Sequence, residues 1–240
     1  MKICYSGKSA PSAQAIADED ETFTIVRDGD GDINWGRYKA NTKLNPDIRN
    51  STNKRRMREL FAENDVPMPK LYSYNEMMEH FEKQTPPLKF IGRPDKHTKG
   101  RGLWVIDDYE SLRRALRGTR KKQPATHFME FVEASHELRV HIFQGKSIRI
   151  SEKSFFIDEN GKKDYTTIKP TIKRKRVRRA AKKAVKALGL DFGAVDILAT
   201  DDNTPYVLEV NSSPGLGGSM PALYAKVFKE WYDNTANETP

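Results

Sequence analysis

The sequence has one cysteine, Cys4, in 240 residues. An internal disulfide is therefore excluded, and a reducing cytoplasm is the simplest setting. No apolar run approaches the roughly 18 residues that would span a bilayer, so no membrane segment is expected. The opening stretch "MKICYSGKSAPSAQAIADEDE" lacks the apolar core of a secretory signal. There is no internal repeat, no low-complexity tract and no GxxxxGK[ST] phosphate loop. One cysteine and five unclustered histidines fit a chemistry that needs no nucleophilic Ser, Cys or His.

What it does have is positive charge. Lys and Arg number 42 against 33 Asp and Glu, a formal net charge of +9. The excess gathers in "NKRRMR" (53–58), "SLRRALRGTRKK" (111–122) and "IKRKRVRRAAKKAVK" (172–186). Such an excess draws anionic partners, among them nucleotides, acidic peptides and nucleic acid, without choosing between them. A hydrophobic fraction of 37% supports a real core in one large domain or a few small ones.

Along the chain, "KICYSG" and "TFTIVR" read as short strands, and "DGDGDINWGRYK" as a turn followed by an exposed aromatic loop. Ser51-Thr52 can cap a helix through "NKRRMRELFAEN", which "VPMP" stops. "LKFIGRP" and "GLWVID" read as strands joined by a basic loop, and Asp107-Asp108 as the cap of the helix "YESLRRALRG". "HFMEFVE", "HELRVHIF" and "SIRISEKSFF" read as three successive strands. Apolar residues at helical spacing predict a helix over 174–188, stopped by Gly189. "GAVDILAT" and "PYVLEVN" then form a hairpin. A last helix over about 219–233 is expected to bury Leu223, Val227, Phe228 and Trp231. Strands and helices mix without strict βαβ alternation, which favours an α+β fold.

Three constellations carry chemistry. In the last hairpin, pairing about the loop 200–205 sets Asp196 opposite Glu209, with Asn211 on the same face as Glu209. Oxygen-only ligands at one end of a sheet suit Mg²⁺ or Mn²⁺. The alternative is that the two carboxylates simply pair with Lys or Arg. In "RPDKHTKGRG" (93–102), Arg93, Lys99, Gly100 and Gly102 could cradle a phosphate, although an ordinary hairpin turn fits the spacing as well. In "HELRVHIFQGKSIRISEKSF", a three-residue turn at 144–146 would pair His141 with Arg149 and Arg139 with Ser151. That register gives one polar face carrying Glu137, Arg139, Arg149 and Lys153, a cationic floor for a phosphorylated or carboxylate substrate. A plain solvated sheet face is the competing reading. Ser212 and Ser213, in the "NSSPG" turn, would offer hydroxyls and backbone N–H groups to the same substrate.

The order of these parts resembles the ATP-grasp carboxylate–amine ligases, most closely the RimK-like branch. The likeness runs from about Asn53 to Gly218 and is strongest in "GLDFGAVDILATDDNTPYVLEVNSSPGLGG" (189–218). It implies two α+β subdomains that grip ATP, with 1–50 a short N-terminal region, 51–130 the smaller subdomain and 131–240 the C-terminal one with the metal site. It also implies Asp196, Glu209 and Asn211 as metal ligands, and Glu130, Phe131 and Val132 as the adenine-binding connection. Glu137 falls where the family binds ribose. Arg139 matches the Arg of the family's "D-I-R" segment, Lys153 falls at a basic position near the γ-phosphate and acceptor, and Lys54 and Arg58 lie on a helix whose basic residues reach the nucleotide. Arg93-Pro94 stands where the family has Lys-Pro, and the stretch after Lys153 lacks the family's Gly-rich anion loop.

The expected function is therefore an ATP- and Mg²⁺- (or Mn²⁺-) dependent ligase, with Arg139, Arg149 and Lys153 as its catalytic cations. It would join a carboxylate to an amine, the substrate being an amino acid or a peptide or protein terminus. Two alternatives stand beside it. One is a kinase-like use of the same site, and the other is a basic nucleic-acid-binding protein using helix 173–186.

Overall fold

The computed structural model describes residues 1–27, 29–85, 89–94, 102–157 and 163–236. Strand β1 (Lys2–Tyr5) leads through a 3-10 turn at Gly7–Ser9 into helix α1 (Ala10–Ala17). Strands β2 (Thr24–Val26) and β3 (Ile33–Trp35) flank β1 in a parallel sheet of order β2-β1-β3. The expectation of an exposed aromatic loop here holds for Tyr38, which is 69% exposed, but fails for Trp35, which is fully buried. It stacks on Phe192 at 5.4 Å and meets the edge of Tyr224 at 5.2 Å. Asn34 is buried too, donating to the carbonyls of Arg37 and Asn45. A strand this short between Asp-Gly and Gly signals is held by tertiary contact and leaves little periodicity to read.

A helical turn, α2 (Arg49–Thr52), precedes α3 (Lys54–Glu63). The cap of α3 is Asn53, not Ser51-Thr52. Its side chain accepts from the N–H groups of Arg55 and Arg56, while Ser51 and Thr52 bond back to carbonyls of their own turn. Trp35 ties the N-terminal sheet to the main core, so its truncation is a sharp stability test. Trp35→Ala should cost about 3–5 kcal/mol, the usual range for a buried aromatic. Urea unfolding checks this, and a loss below about 1 kcal/mol would mean that the N-terminal sheet is not part of the cooperative core.

The chain then forms β4 (Leu71–Tyr72), α4 (Tyr74–Lys83), β5 (Phe90–Arg93), β6 (Trp104–Ile106), α5 (Tyr109–Arg117) and β7 (His127–Glu130). The strands make an antiparallel sheet of order β4-β7-β5-β6. Its core joins Tyr72, Met77, Phe90, Trp104 and Leu112. Asp108 caps α5 as expected, and a Ser73–Glu76 capping box starts α4, which sequence reading left out.

Strands β8 (His136–Phe143), β9 (Lys146–Ile157) and β10 (Lys163–Ile168) follow, then α6 (Arg174–Ala187), β11 (Phe192–Ala199), β12 (Pro205–Asn211) and α7 (Met220–Ala236). The five strands form an antiparallel sheet of order β10-β9-β8-β11-β12. One face buries Leu138, Val140, Ile142, Val195 and Ile197, and α6 packs on this sheet through Val177, Ala180, Ala181, Ala184 and Val185. Gly189 ends α6 with φ +70°. In α7 Tyr224 and Phe228 are fully buried, as expected for Phe228, whereas Leu223 is only half-buried and Val227 and Trp231 pack at the margin.

Chain contacts divide the molecule into two compact units, Met1–Pro67 with Ser135–Pro240, and Met68–Ala134. The first 50 residues belong to the larger unit. Asn45 is fully buried and staples them to β11, taking the N–H of Asp191 at 2.7 Å and donating to the carbonyl of Phe192 at 3.0 Å. The architecture is α+β, as the order of elements implied.

Candidate functional site

The site is built on the polar face of the five-stranded sheet. Across four neighbouring strands, Ser151, Arg139, Asp196 and Glu209 stand opposite one another in one row. The next row runs Arg149, His141, Ala194 and Asn211. Sequence pairing anticipated both the Asp196–Glu209 and the His141–Arg149 partners. The device in the β8–β9 hairpin differs from the expected three-residue turn. Gln144 and Gly145, both at positive φ, make a two-residue turn, and a bulge beside it restores the register that face matching required. A second bulge lies just beyond Asp196 in the β11–β12 ladder.

Arg139, Asp196 and Glu209 in these rows are paired within the candidate set. Arg139 forks onto Asp196, with Nε and Nη2 at 2.8 and 2.9 Å from the two carboxylate oxygens. Lys54 pairs with Glu209, and Lys153 with Glu137. The Asn211 amide lies 3.4 Å from Asp196 and 3.3 Å from Glu209, bridging the two acids. Pairing of these carboxylates with Lys or Arg, the alternative to a metal, is thus present in the structure. The partners, however, are themselves candidate-site residues brought from α3 and β8. Lys54 and Arg58 are four apart on α3 and both half-buried, while their neighbours Arg55 and Arg56 are exposed and pair with Glu59.

On the same face, His141 is buried against Tyr224, with Nδ1 3.0 Å from the hydroxyl. Burial pushes the His141 imidazole down to about 3, and Arg139 and Arg149 add to the shift. Burial likewise drives the Tyr224 hydroxyl upward. Both groups are neutral near pH 7 and form an uncharged pair beside the cations. Arg149 itself is exposed.

Ser212 is buried, its hydroxyl 3.1 Å from that of Ser51. Ser213 lies beside the N-terminal sheet. Gly36, at φ +102°, could not carry a Cβ there, since the atom would fall 2.6 Å from Ser9 Oγ and 3.0 Å from Ser213 Oγ. Ser9, Gly36 and Ser51 are therefore neighbours of the serine turn that sequence reasoning missed. The only signal was a "SGKS" run after β1, too common to single out.

In the smaller unit, Glu130 and Phe131 have committed their N–H groups to the carbonyls of Lys70 and Lys89. The Glu130 carboxylate accepts from the N–H of Lys70 at 3.0 Å. Of this trio only the Val132 N–H has no hydrogen bond to another described residue. Arg93 is half-buried at the end of β5, and Gly102, at φ +84°, packs so tightly on Pro94 that a Cβ would fall 2.9 Å from its ring. Lys99 and Gly100 lie outside the described residues.

Two carboxylates and an amide, opposed on adjacent strands, are a donor set that fits a hard divalent cation. Among the described residues no group of three or more His, Cys, Asp and Glu could hold a metal. No helix among the described residues is long and apolar enough to cross a membrane.

A family model for the RimK-like ATP-grasp domain matches residues 51–227. A probable alpha-L-glutamate ligase of Legionella pneumophila (strain Corby) is 26% identical over 198 residues, covering 76% of this chain and 62% of the relative. One from Parasynechococcus marenigrum (strain WH8102) is 28% identical over 129 residues, 50% of this chain and 26% of the relative. The chain therefore spans less than two-thirds of the curated relatives it matches. Among solved structures, D-alanine–D-alanine ligase from Bacillus anthracis superposes with a TM-score of 0.64 at 17% identity, covering 95% of this chain and 91% of that one. At that identity the likeness concerns the fold.

Proposed function

Since the chain belongs to the RimK-like ATP-grasp family, we propose that it is an ATP-dependent ligase that joins a carboxylate to an amine, with an amino acid or peptide as substrate. The observation that carries this reading is the row Arg139–Asp196–Glu209, with Lys54 and Asn211 closing on it. Asp196, Glu209 and Asn211 are the residues to hold Mg²⁺, which when bound would screen the charge of the ATP phosphates.

The substrate carboxylate oxygen attacks the γ-phosphorus, and the bond to the bridging oxygen breaks to release ADP. The amine nitrogen then attacks the acyl carbon of the acylphosphate, expels inorganic phosphate and loses a proton. This chain's part is alignment and charge stabilisation. Arg139, Arg149 and Lys153 face the transferring phosphoryl group, with Lys54, Arg58 and Arg93 on the nucleotide phosphates. Ser212 and Ser213 bind the substrate. Glu137 takes the ribose hydroxyls and, in doing so, releases Lys153 from its ion pair. Val132, with a backbone N–H to give, is the best placed of Glu130, Phe131 and Val132 to meet adenine, and Gly102 joins Lys99 and Gly100 as residues to cradle a phosphate.

The deciding experiment is an ADP-release screen against pooled amino acids, peptides and polyanions. Amine-dependent ADP release supports the ligase. Release that needs a carboxylate but no amine would favour the kinase-like outcome, and no turnover with any pool would sink both. A second expectation concerns nucleotide binding. Glu137→Ala should weaken ATP by about 1–3 kcal/mol, the loss of a charge-assisted hydrogen bond. Unchanged affinity by calorimetry would move the ribose contact elsewhere.

A further inference from the structure

The proposed reaction leaves unexplained the basic face of helix α6. Helix α6 reads "RKRVRRAAKKAVKA" and contains no acidic residue. Its first turn places Arg174, Lys175 and Arg176 where the helix dipole disfavours cations, and its N-cap, Lys173, makes no side-chain capping bond. Arg174, Arg178 and Lys182 follow one another at i, i+4, i+8, a like-charge stripe that opposes helix stability. Nothing in the hydrophobic packing of α6 requires these charges.

Beside this stripe the sheet is open. Strand β10 pairs with β9 only across Glu152–Ile157. Among the described residues, the stretch of β9 from Lys146 to Ser151 has β8 on one side and no strand on the other. A groove of about 390 Å³ follows that edge, lined by Ser147, Ile150, Ile168, Lys169, Arg174 and Arg178. A second, of about 670 Å³, shares Arg174 and Arg178 and continues along α6. Ser147 Oγ is buried in this region without a partner among the described residues. Glu152 fixes the approach to α6, accepting from the Thr171 N–H at 2.9 Å and contacting His136 at 2.6 Å.

We propose that the open edge of β9 and the basic stripe of α6 form one docking channel for an extended acidic polypeptide segment, which adds to the sheet as a further strand. Strand addition satisfies unpaired edge groups and needs a polypeptide backbone, which a nucleic acid lacks. Same-face side chains of an extended peptide recur about every 6.8 Å, close to the ~6 Å rise between α6 cations four residues apart. A second copy of this chain is disfavoured, because it would bring its own excess of positive charge to the same edge. The proposal does not rest on the ligase reading, since it concerns binding without ATP.

The test is fluorescence anisotropy of the full chain with a labelled peptide of alternating Glu and Thr, beside an oligo-dT of similar charge at the same salt. Hydrogen–deuterium exchange is followed over β9. The expected result is peptide binding that is at least tenfold weaker in Arg174→Glu/Arg178→Glu, and slowed exchange at residues 146–151 on binding. The variant's melting temperature should hold or rise, since it relieves like-charge repulsion and improves the helix N-terminus. Failure of the acidic peptide to bind would overturn the proposal. So would tighter binding of oligo-dT, binding untouched by the double variant, or exchange at 146–151 unchanged by saturating peptide.

Discussion

Glu209→Gln should reduce ATP turnover by about 100-fold or more, the scale seen when a group that stabilises developing charge is removed, while the fold stays intact. The substitution keeps shape and removes one negative charge. Its side chain is 27% exposed, so the neutral isostere carries little burial penalty. What changes is the local charge balance. Glu209 faces Asp196 across the β11–β12 ladder, and Asn211 spans the two acids. With one carboxylate neutral, the pair loses half of its charge for a divalent ion, and Lys54 loses its partner. The measurement is ADP release against pooled substrates over a range of Mg²⁺ concentrations, with thermal unfolding as the control on folding. Turnover like that of the wild type would sink the metal assignment. Full recovery at high Mg²⁺ would reduce Glu209 to an affinity role.

Lys153→Met is expected to cut kcat by about 100-fold with little change in ATP affinity. Lys153 is 18% exposed and pairs with Glu137 on the neighbouring strand. A cation in this partly dehydrated place acts most strongly on charge that develops during transfer, so its loss falls on kcat rather than on ground-state binding. Loss of the ion pair also frees Glu137 for the proposed ribose contact. Comparing kcat and KM with the same acceptor separates the two effects. Lys182→Glu/Lys186→Glu, on exposed positions of α6, should leave kinetics on a small amino-acid substrate nearly unchanged. If that variant loses small-substrate activity while Lys153→Met keeps it, the active site has been put on the wrong face of the sheet.

Much of the larger sheet was legible in the sequence because its patterns are strong and local. Alternation in "HELRVHIF" separates Leu138, Val140 and Ile142 from Glu137 and Arg139, and burial follows that division. The short loop 200–205 leaves few registers for the last hairpin, so the Asp196–Glu209 pairing could be read directly. Face matching predicted the His141–Arg149 partners even though the turn that delivers them is a residue shorter. The misreadings fall where local signals are weak. Strand β3 is three residues long, and Trp35 is inside only because Phe192, Tyr224 and Phe228, from far along the chain, surround it. The cap of α3 went to Asn53 over Ser51 because Ser51 is buried against Ser212.

By itself, then, the sequence determined the family, the α+β class, the face of each long strand and the carboxylate pair, all properties set by side-chain period and short-range pairing. The tertiary structure decided which cations meet those carboxylates. Arg139 reaches Asp196 across a strand boundary, and Lys54 reaches Glu209 from a helix 155 residues away in the chain. It also decided that the N-terminal residues share the core of the larger unit, and that β9 keeps an open edge beside α6. The physical reason is the same in each case. Contacts between distant segments depend on packing and strand order, and neither leaves a periodic trace in the local sequence.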